Sequence, residues 1–435
     1  MIYVHIPFCR SFCTYCDFYS EVAAKCRGAQ DVRKQEELFS QFADALVAEV
    51  RMRGQEITDD TNTLYIGGGT PSVLPLCVFE RLLEALREVG HGGPYDEFTV
   101  EVNPEDIVDK GEDYVKGLLA LGVNRISMGV QSFDDGILKF MNRRHTAAVA
   151  RNAYAILENA GVRNISVDLI FGLPQLTDDQ WSDTLKKVLE ISPSGRLPQH
   201  ISAYQLSVEP GSMLARMVEK GRFEEASEEL CEHQYSMLCE ALAAAGYHHY
   251  EISNFAQTGF EAVHNSAYWK HIPYVGLGPG AHSFGDGSRC QMYGSGIFPP
   301  SRECVKQPSG LLERAACGSR EGRGPLDRVG GGHCNTLARR LVRQWNRPDL
   351  QAYIADPLSV QEYEILDDEQ LILEKIMLAL RTSDGIDAAF LEEHCDAEAL
   401  ARAIEGASLV RSKDGRIRIP ENRFFVSDNI IADIV

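Results

Sequence analysis

The sequence predicts an α/β protein, a partial (β/α)6 TIM-like barrel followed by a smaller winged-helix-like α+β domain. Three observations carry that expectation. Short β-rich runs alternate with helical periodicity through the first half, the pattern of βα units around a parallel sheet. Glycines, carboxylates and amides recur where those strands end, the edge at which such sheets bind ligands. Regular structure returns only beyond a long irregular stretch, so a second unit is expected there. A doubly wound open sheet is the alternative for the first half.

The strands are expected at Tyr3–Ile6, Thr63–Ile66, Phe98–Val102, Arg125–Val130, Ile165–Ile170 and Ile201–Leu206. Between them, apolar residues three and four apart mark helices: Leu38, Phe42, Leu46 and Val50, then Val78, Leu82, Leu86 and Val89. Val149, Ala153, Ile156 and Ala160 mark another, and Trp181, Leu185 and Val188 a fourth. Residues 1–225 form this core, and 226–289 an extension. Residues 290–345 read as an irregular insertion rich in Gly, Pro, Ser, Arg and Cys. In 346–435, Glu369–Leu380, Ala388–His394 and Ala397–Glu405 read as helices, and Leu409–Ile419 as a hairpin wing around Lys413-Asp414-Gly415. Acidic residues outnumber basic ones in this last region, which favours packing over DNA recognition.

The 435 residues carry a formal charge of −20, and 44% of them are hydrophobic, enough for a sizeable core. That charge argues against a non-specific nucleic-acid binder. No apolar run reaches the roughly 18 residues of a membrane span. A strand begins almost at the first residue, leaving no room for a signal peptide. Twelve cysteines without one point to a reducing compartment, so the cytoplasm is expected.

Cys9, Cys13 and Cys16 form a CxxxCxxC cluster directly after the first strand. Three thiolates can hold three irons of a cubane and leave the fourth open to a small molecule. Zinc would need a fourth local ligand, for which His5 alone is near, and an odd number of cysteines leaves a disulfide incomplete. Iron–sulfur is therefore favoured. Gly67-Gly68-Gly69-Thr70 after the second strand permits close backbone approach to a ligand, or simply makes a turn. Glu101 and Asp168 end strands and suit an amine or ribose hydroxyls, and Gln131 ends the fourth strand. Arg143 can clamp a carboxylate, although the residues by themselves favour a surface charge run. His264-Asn265-Ser266-Ala267-Tyr268-Trp269, followed by Gly276-Leu277-Gly278-Pro279-Gly280-Ala281-His282, joins imidazoles, aromatics and glycines, stacking surface for a porphyrin with a candidate axial ligand, although most such histidines are simply hydrogen-bonded in place. Cys290, Cys304, Cys317, Cys334 and His333 are too widely spaced for a zinc motif.

Tyr15, just before the third cysteine, completes a CxxxCxΦC pattern that resembles radical S-adenosylmethionine (SAM) proteins. Tyr3-Val4-His5-Ile6-Pro7-Phe8-Cys9, Gly67-Gly68-Gly69-Thr70-Pro71, Gly129-Val130-Gln131-Ser132-Phe133, Asp168-Leu169-Ile170-Phe171-Gly172-Leu173-Pro174 and His264-Asn265-xx-Tyr268-Trp269 follow in order. Together they resemble the oxygen-independent coproporphyrinogen III oxidase superfamily, and within it the HemW-type heme-chaperone branch. The resemblance implies a [4Fe–4S] cluster on Cys9, Cys13 and Cys16, and SAM contacts from Tyr3, Tyr15, Gly68, Gly69, Thr70, Glu101, Gln131, Arg143 and Asp168. Some of these belong to a second SAM in the oxidase. Heme is the implied cargo, with His264, Asn265, Tyr268 and Trp269 as its candidate contacts. Client hemoproteins, among them respiratory ones, and an electron donor for the cluster are the implied partners, with membrane contact at most peripheral.

Phe18 stands where the oxidase pattern has a fourth cysteine, and the oxidase's long N-terminal extension is missing. Coproporphyrinogen oxidase activity is therefore not expected. Oxidative decarboxylation of coproporphyrinogen III through a 5′-deoxyadenosyl radical is the alternative, and a winged-helix DNA regulator a more distant one.

Overall fold

A computed structural model describes residues 1–22, 29–58, 62–287 and 341–435. The first half runs β1 (Ile2–Ile6), β2 (Phe8–Cys9), β3 (Glu21–Val22), α1 (Ala29–Arg53), β4 (Thr63–Gly68), α2 (Leu76–Glu88), β5 (Glu97–Val102), α3 (Pro104–Ala120), β6 (Arg125–Gln131), α4 (Asp135–Phe140), α5 (Ala147–Ala160), β7 (Ile165–Phe171), α6 (Asp178–Leu189) and β8 (His200–Gln205). There follow α7 (Met213–Glu219), α8 (Glu228–Ala244), β9 (His248–Glu251), β10 (Asn254–Ala256), α9 (Val263–Trp269), β11 (Val275–Leu277) and β12 (His282–Asp286). The last part holds β13 (Leu341–Asn346), α10 (Leu350–Ala355), β14 (Gln361–Ile365), α11 (Asp368–Leu380), β15 (Ile386–Asp387), α12 (Ala388–His394), α13 (Ala397–Glu405), β16 (Val410–Arg411), β17 (Arg416–Arg418) and α14 (Ser427–Ala432).

The main sheet has the order β11-β1-β4-β5-β6-β7-β8-β10-β9. Its strands run parallel from β11 through β8, and β10 and β9 add an antiparallel edge. The six expected strands are thus the central six, in chain order. Strand alternation gives this sheet two unlike faces, one apolar and one polar. Ile2, Val4, Leu64, Ile66, Phe98, Val100, Ile126, Met128, Val167 and Leu169 are buried on the face covered by helices. The residues between them are polar: Tyr3, His5, Thr63, Tyr65, Thr99, Glu101, Arg125, Ser127, Ser166 and Asp168. In-register pairs such as Tyr3 with Tyr65, and Asp168 with Ser202, place these on one lumenal face.

Helix ends follow local rules. Thr177 and Gln180 form a capping box on α6, Asp367 and Gln370 another on α11, and Gly161 ends α5 in the left-handed region. Two short sheets complete the fold, β12-β13-β14 and β15-β17-β16. The expected C-terminal helices appear as α11, α12 and α13, and the hairpin as β16 and β17.

Residues 288–340 lie outside the described residues, and with them Cys290, Cys304, Cys317, Cys334 and His333. The irregular stretch expected to reach 345 is corrected at its end. Leu341–Asn346 is the central strand of its sheet, with Val342, Gln344 and Asn346 buried. Its polar alternation conceals it, because the inward positions satisfy buried charges instead of adding apolar area. Arg53 is 1% exposed and donates to Glu49 (2.8 Å), Glu56 (2.7 Å), Ser283 (3.0 Å) and the Gly276 carbonyl (2.8 Å). Glu49 also accepts from Asn346 (2.8 Å), Tyr353 (2.7 Å) and the Gly278 N–H (2.8 Å). This network ties α1 to β13 and α10, and breaking such a buried pair on one side costs about 3–5 kcal/mol.

Candidate functional site

The cysteine segment crosses the carboxyl ends of the strands and is strapped there by backbone bonds. Thr14 N–H donates to the Met141 carbonyl (3.2 Å), and Leu214 N–H to the Thr14 carbonyl (2.8 Å). The Asn142 amide donates to the Phe12 carbonyl (2.6 Å). At the trailing end His5 Nε2 donates to the Tyr19 carbonyl (2.8 Å), which leaves Nδ1 to accept from Tyr3 Oη (3.1 Å). Tyr19 Oη donates to Glu21 (3.0 Å) and accepts from Leu350 N–H (2.8 Å), so the C-terminal region also holds this segment.

Cys9, Cys13 and Cys16 are all half-buried. Burial pushes the Cys16 thiol up to about 12, with the neighbouring Cys13 adding to it, so a metal must displace protons to bind. Cys9 Sγ lies 3.3 Å from Thr70 Oγ1, and Arg143 Nη1 donates to Cys13 Sγ at 3.3 Å. Arg143 also donates to the Gly129 carbonyl (2.7 Å). The reading of Arg143 as part of a surface charge run is thereby replaced. Only Arg144 beside it makes an outward pair, with Glu105 at 2.7 Å.

The donor set fits a polynuclear cluster. Among the described residues no three His, Cys, Asp or Glu side chains converge as ligands of one ion. Thiolates that each bind a different iron need not converge, whereas a tetrahedral zinc site requires it. A guanidinium beside the sulfurs offsets their negative charge.

Around this loop the strand ends bring the other expected residues together. Gly68 has φ +99°, and a Cβ there would sit 2.5 Å from His5 Nδ1, so only glycine fits. Gly69 and Thr70 N–H groups donate to the Ile6 and Phe8 carbonyls (2.8 and 2.7 Å). Glu101 accepts from Tyr65 Oη (2.6 Å) and Gly68 N–H (3.2 Å). Burial pushes Glu101 up to about 7; Asp168 adds to this, and Tyr65 and Gly68 oppose it. Asp168 accepts from Ser127 Oγ at 3.1 Å and is raised by burial against the pull of Arg125. Gln131 has φ +68° at a register shift between β6 and β7, a bulge that re-aims its side chain. Tyr15 is half-buried beside Arg143 and the cysteines. Tyr65 and Tyr19 were missed in the sequence, and His5 was considered there only as a fourth ligand for zinc. For Tyr65 a signal existed, because it shares the lumenal face with Gly67 two residues on.

The His264 segment lies at the opposite end. His264 is fully buried on α9, with Nδ1 2.8 Å from Thr63 Oγ1 and Nε2 3.0 Å from Tyr268 Oη. Val263 and His264 N–H groups donate to Glu97 at 2.7 and 3.2 Å, and Tyr65 lies against the ring. Burial drives the imidazole down to about 3. Asn265, Tyr268 and Trp269 are half-buried around it. The axial role expected of His264 therefore meets an imidazole whose nitrogens are both engaged, at the amino ends of β4 and β5 and away from the cysteines.

Residues 3–188 match the radical SAM superfamily, the class that the barrel and its three-cysteine mouth define. The fold as a whole superposes on coproporphyrinogen III oxidase (HemN) of Escherichia coli, a radical SAM enzyme, with a TM-score of 0.70 at 19% identity over 99% of this chain and 89% of that one. The chain is 37% identical over 292 residues to the heme chaperone HemW of Lactococcus lactis, covering 67% of this chain and 71% of that protein. It is 34% identical to HemW of Bacillus subtilis and to HemW of Escherichia coli, each over 66% of this chain and 71% of the relative. The chain belongs to the HemW family of the radical SAM superfamily. Its cofactors are accordingly a [4Fe–4S] cluster and SAM. No helix among the described residues is long and apolar enough to cross a membrane.

Proposed function

We propose that this protein is a heme chaperone that binds heme and passes it to client hemoproteins, with a SAM-coordinated [4Fe–4S] cluster as part of the machinery. The observation that carries the reading is the similarity to curated HemW proteins over two thirds of both chains. Phe18 agrees with it, since the position that is a fourth cysteine in the oxidase pattern is here a ring 63% exposed at the mouth.

In this reading Cys9, Cys13 and Cys16 would hold the cluster, and the Gly68–Thr70 turn would take part in binding SAM. Bound there, the cluster and SAM supply one-electron chemistry. Glu101, ionised on meeting an ammonium group, accepts from the methionyl amine, and Asp168 accepts from ribose hydroxyls. Tyr3, Tyr15, Gly69, Thr70 and Gln131 line the same mouth, while Arg143 balances the thiolate charge. The clients are proposed to include respiratory hemoproteins, the electron donor to be a separate protein, and the compartment to be the cytoplasm.

Anaerobic reconstitution with iron and sulfide, followed by titration with SAM and with hemin, tests this. Cluster absorbance, a SAM-dependent change in its EPR signal and stoichiometric heme uptake with transfer to an apo-hemoprotein are expected. Protoporphyrinogen IX formed from coproporphyrinogen III by the reconstituted protein would overturn the proposal in favour of the oxidase.

A further inference from the structure

The short segment after α4 holds the cysteine loop and the end of β6 together. Toward the loop, the Met141 carbonyl accepts from Thr14 N–H (3.2 Å), the Asn142 amide donates to the Phe12 carbonyl (2.6 Å), and Arg143 Nη1 donates to Cys13 Sγ (3.3 Å). Toward β6, Arg143 Nη2 donates to the Gly129 carbonyl (2.7 Å) and His145 Nε2 to the Val130 carbonyl (3.0 Å). Of these residues His145 has no part in the site described above.

The end of β6 that the segment grips is strained. Ser132 N–H donates to the Val130 carbonyl (2.9 Å), which closes a tight turn around Gln131, and Gln131 has φ +68°. A turn of this kind with positive φ at its centre is the rare, strained form, and it coincides with the register shift against β7. The turn brings the Gln131 amide back over Gly129. A Cβ built on Gly129 would lie 2.9 Å from Gln131 Nε2 and 3.4 Å from Arg143 Nη2. The amide therefore stands beside the guanidinium that reaches Cys13. Strained backbone of this kind persists where its surroundings over-determine it, and it gathers at ligand clamps.

His145 supplies that constraint. It is 2% exposed, and a carbonyl only accepts, so Nε2 carries the proton and fills the lone pair of Val130 that Ser132 leaves. Burial and the neighbouring Arg143 push the imidazole down to about 3, which keeps the ring neutral. Nδ1 has no partner among the described residues, so the bond to Val130 is what orients the ring.

We propose that His145 is a positioning residue for SAM: by pinning the Val130 carbonyl it keeps the Gln131 amide at the mouth, and it acts through that amide rather than by contact. This rests on the reading of Gln131 as a SAM contact and names what holds it in place.

The test is equilibrium dialysis of SAM against the anaerobically reconstituted full-length protein, with iron analysis and thermal melts of each variant. His145→Leu is apolar and His145→Asn carries an amide too short to reach, so in either we expect iron to stay at about four per chain. SAM affinity should fall about tenfold in both, the scale of one buried hydrogen bond. His145→Gln, whose longer amide can still donate, should recover most of that affinity. In a Gln131→Ala background the His145→Leu change should cost nothing further, since residues that act through one another do not add. Unchanged SAM affinity in His145→Leu and His145→Asn, or an equal loss with and without Gln131, overturns the assignment while Gln131 remains a SAM contact. Loss of the fold or of iron in both variants overturns it in favour of a structural role. Unchanged SAM affinity in Gln131→Ala overturns the reading of Gln131 on which it rests.

Discussion

At the base of the barrel His264, Thr63, Glu97 and Tyr268 form a closed set in which both imidazole nitrogens are engaged. At the mouth Cys9, Cys13 and Cys16 are half-buried, and Glu101, although it accepts from Tyr65 and Gly68, is pushed up to about 7 by burial. The two ends thus share one lumen. What separates them is exposure: the base is closed and buried, whereas the mouth gathers thiols that solvent can still reach. A satisfied buried cluster rigidifies the fold, and partly exposed thiols stay open to a metal.

The sharpest way to break this contrast is at the cysteines. Cys13→Ser should reduce bound iron from about four per chain to near none while leaving the fold intact, because the thiol is only half-buried and serine is close to it in size. Iron analysis and far-ultraviolet circular dichroism check it, and a variant that keeps its iron would remove the mouth from the metal chemistry. At the base the expected effect is the reverse. His264→Ala strands Thr63 and Tyr268, and should cost about 2–4 kcal/mol in urea unfolding with iron content unchanged.

A third measurement uses pH. Because the folded-state pKa of Glu101 is raised, the folded chain holds this proton more tightly than the unfolded one, so its contribution to stability is lost as pH rises from the unfolded value of 4.5 through about 7. In SAM-free protein, Glu101→Gln should therefore remove part of the stability loss between about pH 5 and about pH 8, on the order of 2–3 kcal/mol. Glu251, also raised to about 7 by burial, retains its own contribution in both proteins and serves as the internal control. Equal slopes for wild type and variant would show Glu101 to be an ordinary ionised carboxylate. The smallest effect is expected where the C-terminal region touches the cysteine segment. Tyr19→Phe removes the hydroxyl between Leu350 and Glu21 and should cost about 0.5–1.5 kcal/mol. It should also speed loss of iron to a chelator, and an unchanged release rate would mean that this contact does not hold the segment.

The barrel was legible because its strands are short, β-rich and separated by helices with clear periodicity. The three-cysteine loop and the glycines after β4 were legible because their chemistry is local in the chain. Other features were not. Arg143 reads as part of a charge run until α4 turns it back onto Cys13, 130 residues away in sequence. β13 was concealed because its inward residues answer Arg53 and Glu49, which lie about 290 residues earlier. The partners that hold His264 in place, Thr63 and Glu97, likewise cannot be foreseen from its own neighbours.

From the order of its residues alone, this chain determines its alternation of strands and helices, the polar face that lines the lumen, and the three thiolates that follow the first strand. Those properties depend on contacts a few residues apart and on periods of two and 3.6. Only the tertiary structure decides that the His264 imidazole is engaged at both nitrogens, and which arginine faces the sulfurs. It also decides that the start of α10, through Leu350, braces the cysteine segment at Tyr19. Each of these turns on whether a distant part of the chain supplies a hydrogen-bond partner, and burial makes that difference large enough to distinguish a structural residue from one still open to a ligand.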